Sequence, residues 1–374
     1  MRFTCQRESF TAAYQAAQSF VAQRSPKPIL QNVKLEVGQD SGKLIATDTD
    51  VGIRITVHDL EVESGGQAIL PSARFGMLLR ESSDEKLRIE SDGNNLVVRG
   101  ERSVIKLPAQ NPDEFPTVEE ITDANYYQVS APLLRTLIHR TVFATDTDSS
   151  RFALGGVLFE FDQDRLTAVA TDGRRLAKMN GLVEQVGQVT RADQNTIVPT
   201  RALQLIDRAL FDEQGSVALM LRPNMFVIRS SQAMIFSRLV EGRFPRWREV
   251  VPNAKSHAAV SLPVGPVYSA LRQAAIVTDK ESKGIDFAFE AGQLVLSART
   301  ANVGQTRVEL PVAYDGPPVT LCLDNAFMAD FMRVLDLSSN FTFHFLDAQS
   351  ATMAETEDGY QYVVMPLARE HAGG

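Results

Sequence analysis

Three stretches of this 374-residue chain carry residue types that could do chemistry. Gly38-Gln39-Asp40-Ser41-Gly42-Lys43-Leu44 has the look of a phosphate loop, but three residues rather than four separate its glycines. Leu44 also stands where a hydroxyl would have to reach a magnesium ion, so the stretch reads as a turn between strands. Asp48-Thr49-Asp50 and Asp146-Thr147-Asp148 each set two carboxylates side by side. No further carboxylates follow at the spacing of a calcium loop, and both read as solvated loops. The five histidines, His58, His139, His257, His344 and His371, are scattered without an H-E-x-x-H pair or a neighbouring cysteine, so neither zinc nor a hydrolytic triad finds a ligand set. The sequence thus offers no catalytic residue, no metal site and no cofactor site.

Whatever the chain does must come from surfaces, and composition says what kind. Hydrophobic residues make up 44% and charged residues 22%, the balance of a soluble globular protein of two or three domains. Apolar runs such as Tyr362 to Met365 are strand-sized, and the first residues lack the apolar core of a secretory signal; a cytoplasmic protein with no membrane partner is expected. Cys5 and Cys322 have no CxxC neighbour and read as small core residues. The net charge of -8 argues against nucleic acid at first sight, yet it divides unevenly: -5 over residues 1–125, +3 over 126–253 and -6 over 254–374.

A threefold internal repeat underlies that division. Strand-then-helix openings start at Phe3, Val129 and Val260. Leu44-Ile45-Ala46-Thr47-Asp48, Ala168-Val169-Ala170-Thr171-Asp172 and Leu296-Ser297-Ala298-Arg299-Thr300 follow, and then second-helix entries at Leu70-Pro71-Ser72, Val198-Pro199-Thr200 and Cys322-Leu323-Asp324. Ser72, Thr200 and Asp324 are the expected helix caps. A period of about 125 residues is domain-sized, too long for a stacking repeat. Helices are expected over 9–22, 72–80, 132–142, 203–210, 266–277 and 325–335, each with one apolar stripe. Arg74, Arg135, Arg201, Arg208, Arg272 and Arg333 fall on the opposite faces, and Arg24 lies just past the first helix.

Lys27-Pro28-Ile29-Leu30-Gln31-Asn32, Thr171-Asp172-Gly173-Arg174-Arg175-Leu176, Ser237-Arg238-Leu239-Val240-Glu241-Gly242-Arg243-Phe244-Pro245 and Tyr362-Val363-Val364-Met365-Pro366-Leu367 occur in the order seen in one family. With the three-copy plan, they make the chain resemble the β subunit of bacterial DNA polymerase III, the sliding clamps. The resemblance implies an α+β fold of three similar domains, 1–124, 125–253 and 254–374, each with two helices on antiparallel sheets. It implies a head-to-tail homodimer closing a ring around double-stranded DNA, gripped without regard to sequence, and no enzymatic activity or cofactor. The seven arginines would then include the DNA-facing set, which resolves the charge puzzle: a basic hole inside an acidic exterior.

The same resemblance implies a peptide cleft walled by Leu154, Thr171, Gly173, Arg174, Arg175, Leu176, Pro245, Val250, Val363, Met365, Pro366 and Leu367. Its guests would be the DNA polymerase III catalytic subunit, the clamp loader, and clamp-motif proteins such as repair polymerases, mismatch-repair proteins and ligase. Arg174 stands where the family often has histidine, and Ala153 where an aromatic is common. Past Leu367 the polar, Gly-ending residues 368–374 are expected to form a mobile tail. The dimer contact is expected between Val104 and Leu107 on an edge strand and Ile276 and Val277 at a helix end, because an uncovered apolar edge invites pairing. Two rival readings are a repeat-built peptide adaptor that never meets DNA and an enzyme of unrecognised type.

Overall fold

In the computed structural model each helix follows directly on a strand, and four of those strands end in a proline or aspartate: Pro71, Pro199, Pro263 and Asp324. The structure describes residues 1–148, 152–189, 196–210, 214–254, 257–279, 282–300 and 303–368. Residues 369–374, and with them most of the expected tail and His371, lie outside the described residues. Among the described residues there are six α-helices: α1 (Arg7–Gln18), α2 (Ser72–Glu81), α3 (Ala131–His139), α4 (Thr200–Ala209), α5 (Val264–Ala274) and α6 (Asn325–Arg333). The short 3-10 turns Val142–Ala144 and Ala275–Val277, which the periodicity reading joined to α3 and α5, are separate elements.

Helix entry differs from expectation in two copies. Ser72 and Thr200 are the first helical residues rather than caps; Pro71 and Pro199 occupy the cap positions, with φ of -61° and -55°. Proline's ring fixes that φ, so the chain turns into the helix one residue early. In the third copy Asp324 does cap α6, its Oδ1 accepting from Ala326 N at 2.8 Å.

Contacts divide the chain into two compact units, Met1–Arg135 with Val183–Leu239, and Thr136–Leu182 with Val240–Gly374. The first unit holds a five-stranded sheet ordered Glu61–Ser64, Arg2–Gln6, Lys86–Ser91, Asn95–Arg99, Val104–Pro108. It also holds a nine-stranded sheet in which Ala233–Arg238 pairs with Val51–Val57, Ile235 opposite Ile53. The second unit holds a four-stranded sheet, Gly304–Pro311, Gln293–Thr300, Gly284–Glu290, Val319–Asp324. In its larger sheet, Arg175–Leu182 pairs with Gln361–Val364, Leu176 opposite Val363. All recorded pairings within these sheets are antiparallel, so backbone ladders run through the joints between sequence repeats.

Packing follows the stripes. α1 buries Phe10, Ala13, Tyr14 and Ala17 against Phe75, Leu78 and Leu79 of α2, with Tyr14 and Phe75 rings 5.0 Å apart. The helices touch at Gly76, where any Cβ would lie 3.0 Å from the Gln18 amide. In the second unit Phe289 stacks on Phe345 at 4.5 Å. Cys5 is buried as expected, and burial pushes its thiol up to about 12. Among the described residues no helix is long and apolar enough to cross a membrane.

Candidate functional site

The turn Thr171–Arg175 shows how a short polar sequence becomes a rigid lip. Thr171 Oγ1 donates to Arg175 O at 2.6 Å and accepts from Gly173 N at 3.0 Å. Asp172 Oδ1 accepts from the N–H groups of Arg174 and Arg175 at 2.9 and 3.0 Å. Gly173 has φ of +89° with open space where a Cβ would sit, so glycine is needed here for backbone conformation. The first copy builds the same turn: Thr47 Oγ1 donates to Val51 O, Asp48 Oδ1 accepts from Asp50 N and Val51 N, and Thr49 takes φ of 85°. In the third copy the equivalent Thr300 hydroxyl donates to Val277 O instead.

Against this lip lies an open cleft of about 500 Å³, lined by Leu154, Thr171, Gly173, Arg174, Arg175, Leu176, Pro245, Arg246, Trp247, Glu249, Val250, Val363 and Met365. Leu154, Leu176 and Val363 are buried and form the floor, while Val250 and Met365 are exposed on the rim. Ladder pairing of Leu176 with Val363 sets the floor, and Met365 N donating to Arg174 O at 3.0 Å carries the C-terminal strand along the lip. Pro366 and Leu367 do not line the cleft, contrary to expectation. Leu367 N donates to Cys322 O at 2.7 Å, which turns the chain away toward the four-stranded sheet.

Arg175 is a different kind of wall from the one expected. Nε and Nη1 donate to Asp172 and Asp330, both at 2.9 Å, Nη2 donates to Phe143 O at 2.7 Å, and the guanidinium lies 4.4 Å from the Phe327 ring centre. Burial opposes its charge, but Tyr362, Asp330 and Asp172 outweigh that and hold its pKa above the ordinary arginine value. Its charged head is therefore committed to holding the cleft together.

Arg246, Trp247 and Glu249 escaped sequence reasoning. Trp247 and Glu249 belong to a 3-10 turn, Trp247–Glu249, which Arg246 immediately precedes, close to the expected boundary between the second and third domains. Arg248 lies 4.2 Å from the Trp247 ring centre and meets Glu160 through two bonds of 3.1 and 2.8 Å. That Trp247 is the chain's one tryptophan, set in a Pro-Arg-Trp-Arg run, was the available signal.

Of the seven arginines, Arg24, Arg74, Arg201, Arg208, Arg272 and Arg333 are exposed. Several are engaged, however. Arg135 donates to Asp207 at 3.3 Å, Arg201 pairs with Asp48, Arg333 pairs with Asp330 at 3.0 Å, and Arg272 lies near the Tyr268 ring. At the expected dimer contact, Val104 and Ile276 are 55% and 73% exposed. Leu107 and Val277 are only 9% and 8% exposed, so they belong to their own units' cores. Alternation puts Ile105 on the face of Leu107 and Val104 on the other face; only Leu107 is covered, so Val104 and Ile105 are both exposed.

Among the described residues no group of three or more His, Cys, Asp or Glu could hold a metal. Comparison with known proteins then places the chain. Family models match from end to end: the N-terminal domain of the DNA polymerase III beta subunit over residues 1–119, the central domain over 128–246 and the C-terminal domain over 248–368. The beta sliding clamp of Pseudomonas putida is 29% identical over 376 residues, 98% of this chain and all of that one. The beta sliding clamp of Chlamydia pneumoniae is 28% identical over 334 residues, 89% of this chain and 90% of its own length. Among solved structures, the Pseudomonas aeruginosa sliding clamp bound to griselimycin matches with a TM-score of 0.91 and 26% identity, covering 99% of this chain and all of that one. The Bacillus subtilis clamp, at 20% identity and a TM-score of 0.91, shares the fold. With all three domain models matched in order and the six helices on antiparallel sheets in place, this chain belongs to the DNA polymerase III beta subunit family, the bacterial sliding clamps.

Proposed function

We propose that this sliding clamp confers processivity by closing as a head-to-tail homodimer around duplex DNA and tethering polymerases through the cleft between Leu154, Leu176 and Met365. Its three clamp domains would span 1–124, 125–253 and 254–374. The protein acts in the cytoplasm as a non-catalytic scaffold without cofactor. The observation that carries the tether is the cleft itself: an apolar floor open to solvent and framed by a rigid turn and the C-terminal strand.

Burying one or two leucine or phenylalanine side chains there supplies roughly 1.5 to 3 kcal/mol each before ordering costs, so a single linear motif is captured weakly. Weak capture suits exchange among the polymerase III catalytic subunit, the clamp loader and repair proteins. Arg24, Arg74 and Arg208, exposed and rooted on or near helices, together with the partly engaged Arg135, Arg201, Arg272 and Arg333, would face the phosphates. Such contacts are blind to sequence and allow sliding. The dimer would set Val104 and Ile105 against the Ile276 corner, with Leu107 and Val277 supporting from beneath.

The test is retention: once loaded, the ring should stay on nicked circular DNA in moderate salt and run off the linear form. Equal loss from both would refute encirclement.

A further inference from the structure

The arginines read above as DNA-facing differ in how much charge they keep. Arg24, Arg74 and Arg208 are exposed and, among the described residues, meet no carboxylate. Arg333 meets Asp330 one turn back on its own helix. Arg201 is held from another repeat copy: its Nη1 donates to Oδ2 of Asp48.

The repeat explains why Asp48 is available. Thr47 to Val51 builds the same turn as Thr171 to Arg175, and in the second copy Asp172 Oδ2 accepts from Arg175 at the turn's last position. Val51 stands at that position in the first copy, so Asp48 has no arginine within its own turn. Its Oδ1 accepts from Asp50 N and Val51 N at 3.0 and 2.9 Å, which leaves Oδ2 for Arg201 in the same compact unit. Asp50, also on this turn, faces Arg238 instead. The Asp48 side chain is only 9% exposed, whereas that of Arg201 is 56% exposed in the first turn of α4. A sheltered carboxylate fixed against a guanidinium offsets most of its attraction for a phosphate beyond it, and salt screens such a pair less than an open one.

We propose that Asp48 sets the strength of the grip on DNA by withholding the charge of Arg201 from the phosphates. The inference rests on the reading that these arginines face the duplex. Arg201 then positions the DNA through its remaining N–H groups without holding it at full strength, and sliding needs such a loose grip.

Asp48→Asn tests this, since the amide keeps the oxygen that accepts from Asp50 N and Val51 N and loses the charge. Anisotropy follows the full chain binding a labelled linear duplex, onto which a ring threads from the ends, between about 50 and 200 mM salt. Asp48→Asn should bind about three- to tenfold tighter at the low end and steepen the slope of log affinity on log salt by about 0.9, one more neutralised phosphate. Arg201→Gln should erase that gain and cost more in the Asp48→Asn background than in the native one. No gain from Asp48→Asn, with circular dichroism and sedimentation unchanged, would overturn the proposal, as would a gain that survives Arg201→Gln. A second comparison avoids the Asp48 variant: in the native background Arg201→Gln should flatten the slope by less than half as much as Arg208→Gln on the same helix, and equal flattening would overturn the proposal. If neither Arg24→Gln nor Arg208→Gln alters binding, the arginines do not face DNA, and that reading falls together with the proposal. If they do alter it and the Asp48 results fail, the reading stands and the proposal alone is lost.

Discussion

Replacing Arg175 by Met keeps an apolar stem and removes the guanidinium that joins the turn at Asp172, the 3-10 turn at Phe143 and α6 at Asp330. Breaking a buried ion pair by removing one partner costs about 3 to 5 kcal/mol when the other charge is left without compensation. Here the loss is smaller. Asp172 keeps two backbone N–H donors, and Asp330 keeps Arg333 and has 25% of its side-chain surface exposed. A destabilisation of about 2 to 3 kcal/mol follows, or roughly 4 to 10 °C in the midpoint of a unit this size. Arg175→Lys should recover only part of it, because an ammonium cannot reproduce the planar fork. Trp247 sits in the same unit, so its emission during urea or thermal unfolding reads the right transition. A change below about 0.5 kcal/mol for Arg175→Met, within the range of an ordinary surface substitution, would show that the network does not brace the cleft.

Met365→Glu should abolish binding of a Gln-Leu-x-Leu-Phe peptide in fluorescence anisotropy while sedimentation still reports a dimer; undiminished binding would remove Met365 from the site. Val104→Asp or Ile276→Asp should give folded monomers, whereas Leu107→Asp should unfold the first unit by burying a charge, a contrast that circular dichroism beside sedimentation would show. Thr49, β-branched at φ of 85°, stands where the second copy has Gly173, so Thr49→Gly should stabilise by about 1 kcal/mol and Gly173→Ala should destabilise by a similar amount in urea titrations. The Cys5 thiol moves from 9.0 to about 12 through burial, so its contribution to stability is intact below pH 9 and is lost as the pH climbs toward 12. Alkylation at pH 8 should therefore spare Cys5 until the chain unfolds; rapid labelling of the native protein would contradict its burial.

The three-copy plan was legible because the first two copies write their turns and second-helix entries in residues with fixed backbone habits, and the third keeps the spacing. Thr-Asp followed by a residue able to take positive φ is one such habit, and a strand running into proline is another. Helix ends were less legible. The first helix stops at Gln18 rather than Ala22, since Ala22 N is drawn to Leu30 O at 3.1 Å by a segment that local periodicity cannot see. Capping was misjudged for a related reason: serine and threonine are good caps, but a proline one place earlier decides where the chain turns.

The cleft tests how far motif reading reaches. Thr171 to Leu176 and Val363 came from the resemblance, and one strand pairing, Leu176 opposite Val363, is what brings them together. Pro366 and Leu367 came from the same resemblance, yet Leu367 N bonds to Cys322 O and leads both half-buried residues away from the cleft. Trp247 was missed because its aromatic ring and flanking arginines look like any polar joint until Glu160 and Lys178 close around them. Arg174 and Arg175 show the remaining limit. As adjacent, identical residues they earn the same expectation from sequence, but Arg175 turns inward to three acceptors while Arg174 keeps its charge at the cleft mouth. Which of the two braces the site and which stays at its mouth depends on Asp330, contributed from 155 residues further along the chain.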